Sequence, residues 1–412
     1  MGAAAGRAES LGVVAPRWPV VPLKYQLEYI EGPGIMAADF VTDGVPLLRI
    51  SSVAGRYVTL DGCDYLEPRL VASKWSHFQV KARDLLISGS ASTGLCAEVT
   101  EETVGAVPYT GLIIVRPRCD FDRDFARWFL LSDLFAKQVA VLQAGSAIQH
   151  FGPSHLGVMF CPVPSPTQQR AIARFLDDEV GAIDAAVSAK RRVLDLLAEK
   201  RKAIIATAVT RGLDPKVKLR DSGVPWLGEI PAHWGVVQSR RLFRVRNELA
   251  RPPDRQLTAS QKYGILPQSE FVELEGRRVV ELEKGVESLR HVEPNDFVIS
   301  LRSFQGGLEW SKVSGSVTFH YVVLVPIKWV HPPFFAHLFK SLPFIEALRS
   351  TATLIRDGQD LRFSHFTLVD LPVVPLEEQR LIAAYLDRET AKLDVARAAT
   401  ERTIALLKER RC

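Results

Sequence analysis

Within six positions, Arg302-Ser303-Phe304-Gln305-Gly306-Gly307 offers a guanidinium, a primary amide and two glycines. An arginine fork matches the O6/N7 edge of guanine, and a glutamine amide matches N6/N7 of adenine. A loop of this make-up can therefore read base edges or phosphates. It equally suits a tight turn that needs glycine backbone, with Arg302 in water, and both readings stay open. Gln149 and His150 form a second polar cluster, and Arg356, Gln359 and Arg362 a third. Each precedes a proline-marked helix start. They suit a DNA-facing loop or local capping, and a lone histidine in such a place is more often structural.

Enzyme signatures are weak by comparison. The stretch "VHPPFF" (330–335) falls one residue short of the Asn/Asp-Pro-Pro-Tyr/Phe loop of amino-methyltransferases. His331 cannot accept from a target amine as an Asn or Asp side chain does, so two prolines ahead of an aromatic run read as a helix start. "SGSASTGL" (88–95) lacks the Lys-Ser/Thr of a phosphate-binding loop. The five cysteines are scattered, with no CxxC pair. That spacing predicts buried reduced thiols, not a zinc site, and no metal-ligand set is expected.

The 52 basic and 47 acidic residues leave a net charge of +5, which permits a polyanionic partner without requiring one. No leader-like apolar segment opens the sequence, and no apolar run approaches the ~18 residues of a membrane span. A cytoplasmic protein is expected.

The elements that must position these groups occur twice. "PSPTQQRAIARFLD" (164–177) returns as "VPLEEQRLIAAYLD" (374–387). At an offset of 210, Ser154-His155 matches Ser364-His365, Gln169-Arg170 matches Gln379-Arg380, and Leu196-Leu197 matches Leu406-Leu407. The same frame sets "FARWFLL" (125–131) on "FAHLFKS" (335–341). Further forward the offset becomes 212 for "RDLLIS" and "NDFVIS", then 216 for "WPVVPLK" and "WGVVQSR".

Behind each proline cluster an apolar stripe steps by three and four. It runs through Ile172, Leu176, Val180, Ile183, Val187, Leu194, Leu197 and Ile204, and through Ile382, Leu386, Leu393, Ile404 and Leu407. Two long helices with coiled-coil-like seams are predicted, the first capped by Thr167 and ended by Gly212. Lys190-Arg-Arg192 and Lys200-Arg-Lys202 read as a solvated face or as partners of acidic residues such as Asp195 and Glu199, with phosphate tracking as the alternative. Residues 214–234 read as a linker because Gly and Pro recur without helical period. Short strands are expected at 85–88, 112–115, 298–301 and 322–325.

With the repeat laid out, the chain resembles the specificity subunit of type I restriction-modification systems. The likeness rests on "DSGVPWLGEIPAHW", "GSAIQHFGPSHL", "LRSFQGGLEWSKVSGSVT", "LRFSHF" and the two helices, which together span nearly the whole sequence. The resemblance implies an α+β protein with a pseudo-two-fold internal repeat: two similar mixed α/β target-recognition domains, separated by two long antiparallel helices. Each domain would bind one half of a bipartite double-stranded DNA target. Physics supports such a design, because a fixed spacer can hold two readers about one duplex turn apart.

The expected divisions are 1–160 for the first recognition domain and 161–212 for the first spacer helix. Residues 213–370 hold the linker and second domain, and 371–412 a shorter second spacer. Gln169, Arg170, Leu176, Ile183, Leu197, Gln379, Arg380, Leu386, Leu393 and Leu407 would form the spacer and partner-docking positions. Two methyltransferase subunits and restriction subunits are the implied partners. No cofactor is implied for this chain: S-adenosylmethionine, ATP and magnesium belong to the partners. The competing reading is a stand-alone DNA methyltransferase or nuclease with a degenerate site.

Overall fold

A computed structural model describes residues 18–89, 95–118, 120–144, 152–276, 288–299, 308–351 and 363–411. It divides into two compact units, Met1–Ala185 and Ala186–Cys412, and the division falls inside one long helix.

In the first unit an antiparallel four-stranded sheet has the spatial order Leu27–Glu31, Leu112–Pro117, Leu85–Ser88, Cys96–Glu98. The second unit repeats that order with Phe243–Val245, Val322–Pro326, Phe297–Ile299 and Glu309–Trp310. A two-stranded pair closes each half, Val20–Pro22 with Phe160–Pro162 and Gly235–Gln238 with Asp370–Val373. The middle strands are apolar on both faces, as burial on both sides demands. Leu85, Leu86, Ile113 and Ile114 are fully buried in one half, and Phe297, Val298 and Leu324 in the other.

Strand register corrects the 210 offset. Leu86 lies opposite Ile114, and its equivalent Val298 lies opposite Val323, so the central strands match at 209. The aromatic helices, Arg123–Leu130 and Pro332–Phe339, agree with 209. Phe125, Ala126, Phe129 and Leu130 are buried in one, and Phe334, Phe335, Leu338 and Phe339 in the other. Ser132 donates to Phe129 O, and Ser341 to Leu338 O, both at 2.6 Å. A slip of one residue on an amphipathic aromatic helix still aligns apolar with apolar, which is why the sequence alone hides it.

Smaller devices are also repeated. Arg83 (φ 69°) and Asn295 (φ 77°) occupy the same left-handed turn position. The carboxylates that follow them, Asp84 and Asp296, accept from Lys81 N and Glu293 N, each at 2.8 Å. The halves diverge in their small sheets. The first builds a four-stranded sheet from Phe40–Val41, Asp64–Leu66, Val45–Leu48 and Val107–Pro108. The second uses two pairs, Leu257–Ser260 with Gly264–Pro267 and Arg290–Val292 with Gly315–Val317, joined through a parallel bridge between Gln256 and Ser316.

Residues 214–234 are not a loose linker. Leu219–Asp221 and Glu229–Pro231 pair as a hairpin, and Leu227, Ile230 and Trp234 enter the main core of the second half. The Trp226 indole donates to Asp370 O at 3.1 Å. That core is rich in phenylalanine. Phe243 meets Phe297, Phe335, Phe339 and Phe366 at centroid distances of 5.3–5.9 Å, mostly edge to face, the arrangement ring quadrupoles favour.

The long helices run Pro166–Arg211 and Leu376–Arg411. The first starts two residues earlier than the Thr167 cap predicts. Ser165 is the cap and exchanges hydrogen bonds with Gln168, while Pro166 takes the first helical position, where a missing N–H costs nothing. Gly212, at φ 75°, ends it as expected. Within the second unit the two helices are antiparallel: Glu378 faces Gly212, and Arg201 pairs with Asp394 at 2.5 Å. A cavity of about 360 Å³ sits in the seam between Leu194, Leu197 and Arg201 on one helix and Leu393, Asp394 and Arg397 on the other.

Candidate nucleic-acid interface

The repeated Gln and Asp of the helix openings have a physical role. In the first half Gln169 is buried; its Oε1 accepts from Asp122 N at 2.7 Å, and its Nε2 donates to Pro164 O at 2.8 Å. Asp122 caps the aromatic helix, accepting from Asp124 N and Phe125 N. Eight residues on, Asp177 takes Arg127 of that helix at 2.5 Å. The second half repeats the clasp. Gln379 Oε1 accepts from His331 N at 2.8 Å, and Nε2 donates to Val374 O at 2.8 Å and to Trp329 O at 2.7 Å. Asp387 then meets His337 Nε2 at 2.8 Å. Each half thus fixes its own long helix to its own aromatic helix. His331 begins that second aromatic helix, as the "HPPFF" reading predicts.

Of the other spacer positions, Arg170 is exposed, Leu176, Leu197 and Leu407 are half-buried, and Ile183, Leu386 and Leu393 are buried. Arg380 is exposed and pairs with Glu377 along its own helix. Lys190, Arg191, Arg192, Lys200 and Lys202 are exposed, whereas Arg201 pairs across the seam with Asp394 and not with Asp195 or Glu199 of its own helix. The base-reading candidates Arg302, Ser303, Phe304, Gln305, Gly306, Gly307, Gln149, His150, Arg356, Gln359 and Arg362 lie outside the described residues. His155 does act locally, its Nδ1 accepting from Gly152 N at 3.1 Å.

Ionic ties stiffen each frame. Arg116 grips Asp84 through two bonds of 2.8 and 2.7 Å. In the second half the equivalent Asp296 is held by Arg246, just past the strand Phe243–Val245, at 2.8 and 3.1 Å. Burial raises the Asp296 carboxyl above its usual range despite that cation. Burial likewise raises Glu309, which pairs with Lys340. His291, almost fully buried, meets Asp254 at 2.8 Å and Glu293 at 3.3 Å. Sequence patterning missed the two arginine ties because their partners lie 32 and 50 residues apart in the chain. Among the described residues, no group of three metal-ligating side chains converges, and no helix is long and apolar enough to cross a membrane.

No family model matches the chain. A curated relative, the type I restriction enzyme MjaVIII specificity subunit of Methanocaldococcus jannaschii, is 21% identical over 50% of this chain and 48% of its own length. The MjaX specificity subunit, assigned to the same organism, is 21% identical over 95% of this chain and 91% of its own. The first of these matches thus spans only about half of the relative. Among solved structures, the HsdS subunit of Thermoanaerobacter tengcongensis covers 96% of the chain at a TM-score of 0.55 and 15% identity. A structure described as underlying complex assembly and conformational transition of the type I R-M system covers 96% at a TM-score of 0.64 and 16% identity. These two likenesses establish the fold.

Proposed function

We propose that this chain, a member of the type I specificity-subunit family by its relatives and its fold, is the DNA-recognition subunit of a restriction-modification complex. Each α+β half would bind one part of a bipartite double-stranded target. The chain would be non-catalytic and cytoplasmic, with S-adenosylmethionine, ATP and magnesium held by its partners. The observation that carries this reading is the duplicated clasp. Two halves with one sheet order fasten to two long helices through the same Gln and Asp, as two readers on a common spacer require.

The partners fit the same duplication. Val158 and Leu368 are 53% and 68% exposed at equivalent positions, and Leu196 and Leu406 are 56% and 65% exposed. Apolar residues left in water twice, at one offset, suit two copies of one partner, and two methyltransferase subunits are proposed there, with restriction subunits beyond them. The divisions at 160, 212 and 370 are proposed as the borders between readers and spacers. The long helices would set the distance between half-sites.

The test is to map methylated adenines in DNA modified by this chain assembled with its methyltransferase. A bipartite motif is expected, and exchanging residues 18–160 for the equivalent part of a related subunit should replace one half-site only. A motif untouched by the exchange refutes the proposal.

A further inference from the structure

The turn Thr318–Tyr321 leads from the small sheet of the second half into the central strand Val322–Pro326, and Tyr321 N–H donates to Thr318 O at 2.9 Å. The first half makes the same turn at the same place, Leu112 N–H donating to Tyr109 O at 3.0 Å. The backbone is repeated, but its tip is not: Thr110-Gly111 in one half, Phe319-His320 in the other. Phe319 is 55% exposed, and its ring lies 4.0 Å from that of His320, which is also exposed.

Beside this tip is a cavity of about 280 Å³, lined by Gln256, Thr258, Ser316, Thr318, His320 and Tyr321 among others, with no carboxylate among its described lining. Ser316 is 1% exposed, and its hydroxyl has no hydrogen-bond partner among the described residues. Buried polar groups are nearly always paired, so an unpaired one beside a cavity marks a place for an outside partner.

We propose that this turn and cavity form the base-reading element of the second half, with Phe319 set against the 5-methyl group of a thymine. The hydroxyl and imidazole groups beside it address the hydrogen-bonding edge of the same A·T pair. The inference rests on the reading above that the half binds DNA. The chemistry is complementary. The thymine methyl is the one apolar group on the major-groove edge, and adenine there offers one donor and one acceptor, which hydroxyls can meet either way. A lining without carboxylates does not repel the phosphate backbone. The shared frame explains how two readers fold alike, and a tip that differs explains how they read different bases.

The experiment uses the full chain assembled with its methyltransferase, as wild type, Phe319→Ala and His320→Ala, with methylated adenines mapped on genomic DNA. Both side chains are exposed, so the fold should survive, and the other half-site is an internal control. The expected result is a bipartite wild-type motif in which Phe319→Ala relaxes one thymine position of one half-site and leaves the other half-site unchanged. Uracil in place of that thymine should weaken wild-type binding about fourfold, the worth of one buried methyl group, and should not affect Phe319→Ala. A wild type without any bipartite motif sinks the functional reading itself. A bipartite motif that neither substitution alters, or one insensitive to uracil throughout that half-site, overturns this inference alone. Loss of methyltransferase assembly in Phe319→Ala with base preference intact also overturns it and makes the tip a protein contact.

Discussion

Replacing Gln379 should show how much of the second half depends on its clasp. The side chain is fully buried and serves three backbone groups: His331 N–H, Val374 O and Trp329 O. Gln379→Ala strips all three of their partner inside the core. At about 1 kcal/mol net for each hydrogen bond lost, the cost is about 3 kcal/mol, and more if water cannot reach the orphaned groups. For a unit of this size, each kcal/mol lowers Tm by about 2–4 °C, so a fall of about 6–12 °C is expected. Gln379→Met, which keeps the volume, should recover little. Gln379→Glu should do worse than Met, because it turns an oxygen toward two carbonyl oxygens. The assay is thermal unfolding of the full chain followed by calorimetry, where the second unit should melt first. Gln169 serves only two backbone groups, so Gln169→Ala should cost about two-thirds as much, in the first unit's transition. A Gln379→Ala protein within 1 °C of wild type would refute the reasoning that these bonds hold helix to domain.

Other consequences can be measured on the same protein. Arg246→Met leaves Asp296, 2% exposed, without its cation, and should destabilise the second half by about 3–5 kcal/mol in urea unfolding. Burial raises the Glu309 carboxyl in the folded state. The folded protein therefore keeps a proton that the unfolded chain has released. That contribution is full below the ordinary carboxylate range and is lost as pH rises through the raised value. Glu309→Gln should flatten this part of a Tm-against-pH curve, and an unchanged slope would count against it. Burial pushes the thiols of Cys96 and Cys161 up to about 12, so neither should react with a disulfide reagent at pH 8 until the chain unfolds, whereas half-buried Cys63 should.

Much of the framework could be read in the amino-acid order, for identifiable reasons. Each long helix carries a stripe of period 3.6 over ten turns or so, and such a pattern has few other outcomes. The duplication was visible because Gln169/Gln379 and Asp177/Asp387 are chemically required at both clasps. Local punctuation misled in two places. Glycines and prolines in 214–234 suggested a linker, but Ile230 and Trp234 supply enough apolar surface to pin a hairpin into the core. Thr167 looked like the cap because it stands nearest the apolar stripe, yet Pro166 fits only inside the first turn and moves the cap back to Ser165. The ion pairs of Arg116 with Asp84 and Arg246 with Asp296 could not be foreseen, since equivalent carboxylates draw their arginines from different parts of each half, one from the strand Leu112–Pro117 and one from just past Phe243–Val245.

The left-handed turn shared by Arg83 and Asn295 carries a lesson about how the two copies have aged. Asparagine tolerates that backbone conformation, whereas a long side chain pays about 1–2 kcal/mol to occupy it. The first copy therefore carries a conformational debt that the second does not. Grafting the asparagine of one twin onto the other would raise heat tolerance in a single half, so the molecule holds within itself a template for its own improvement.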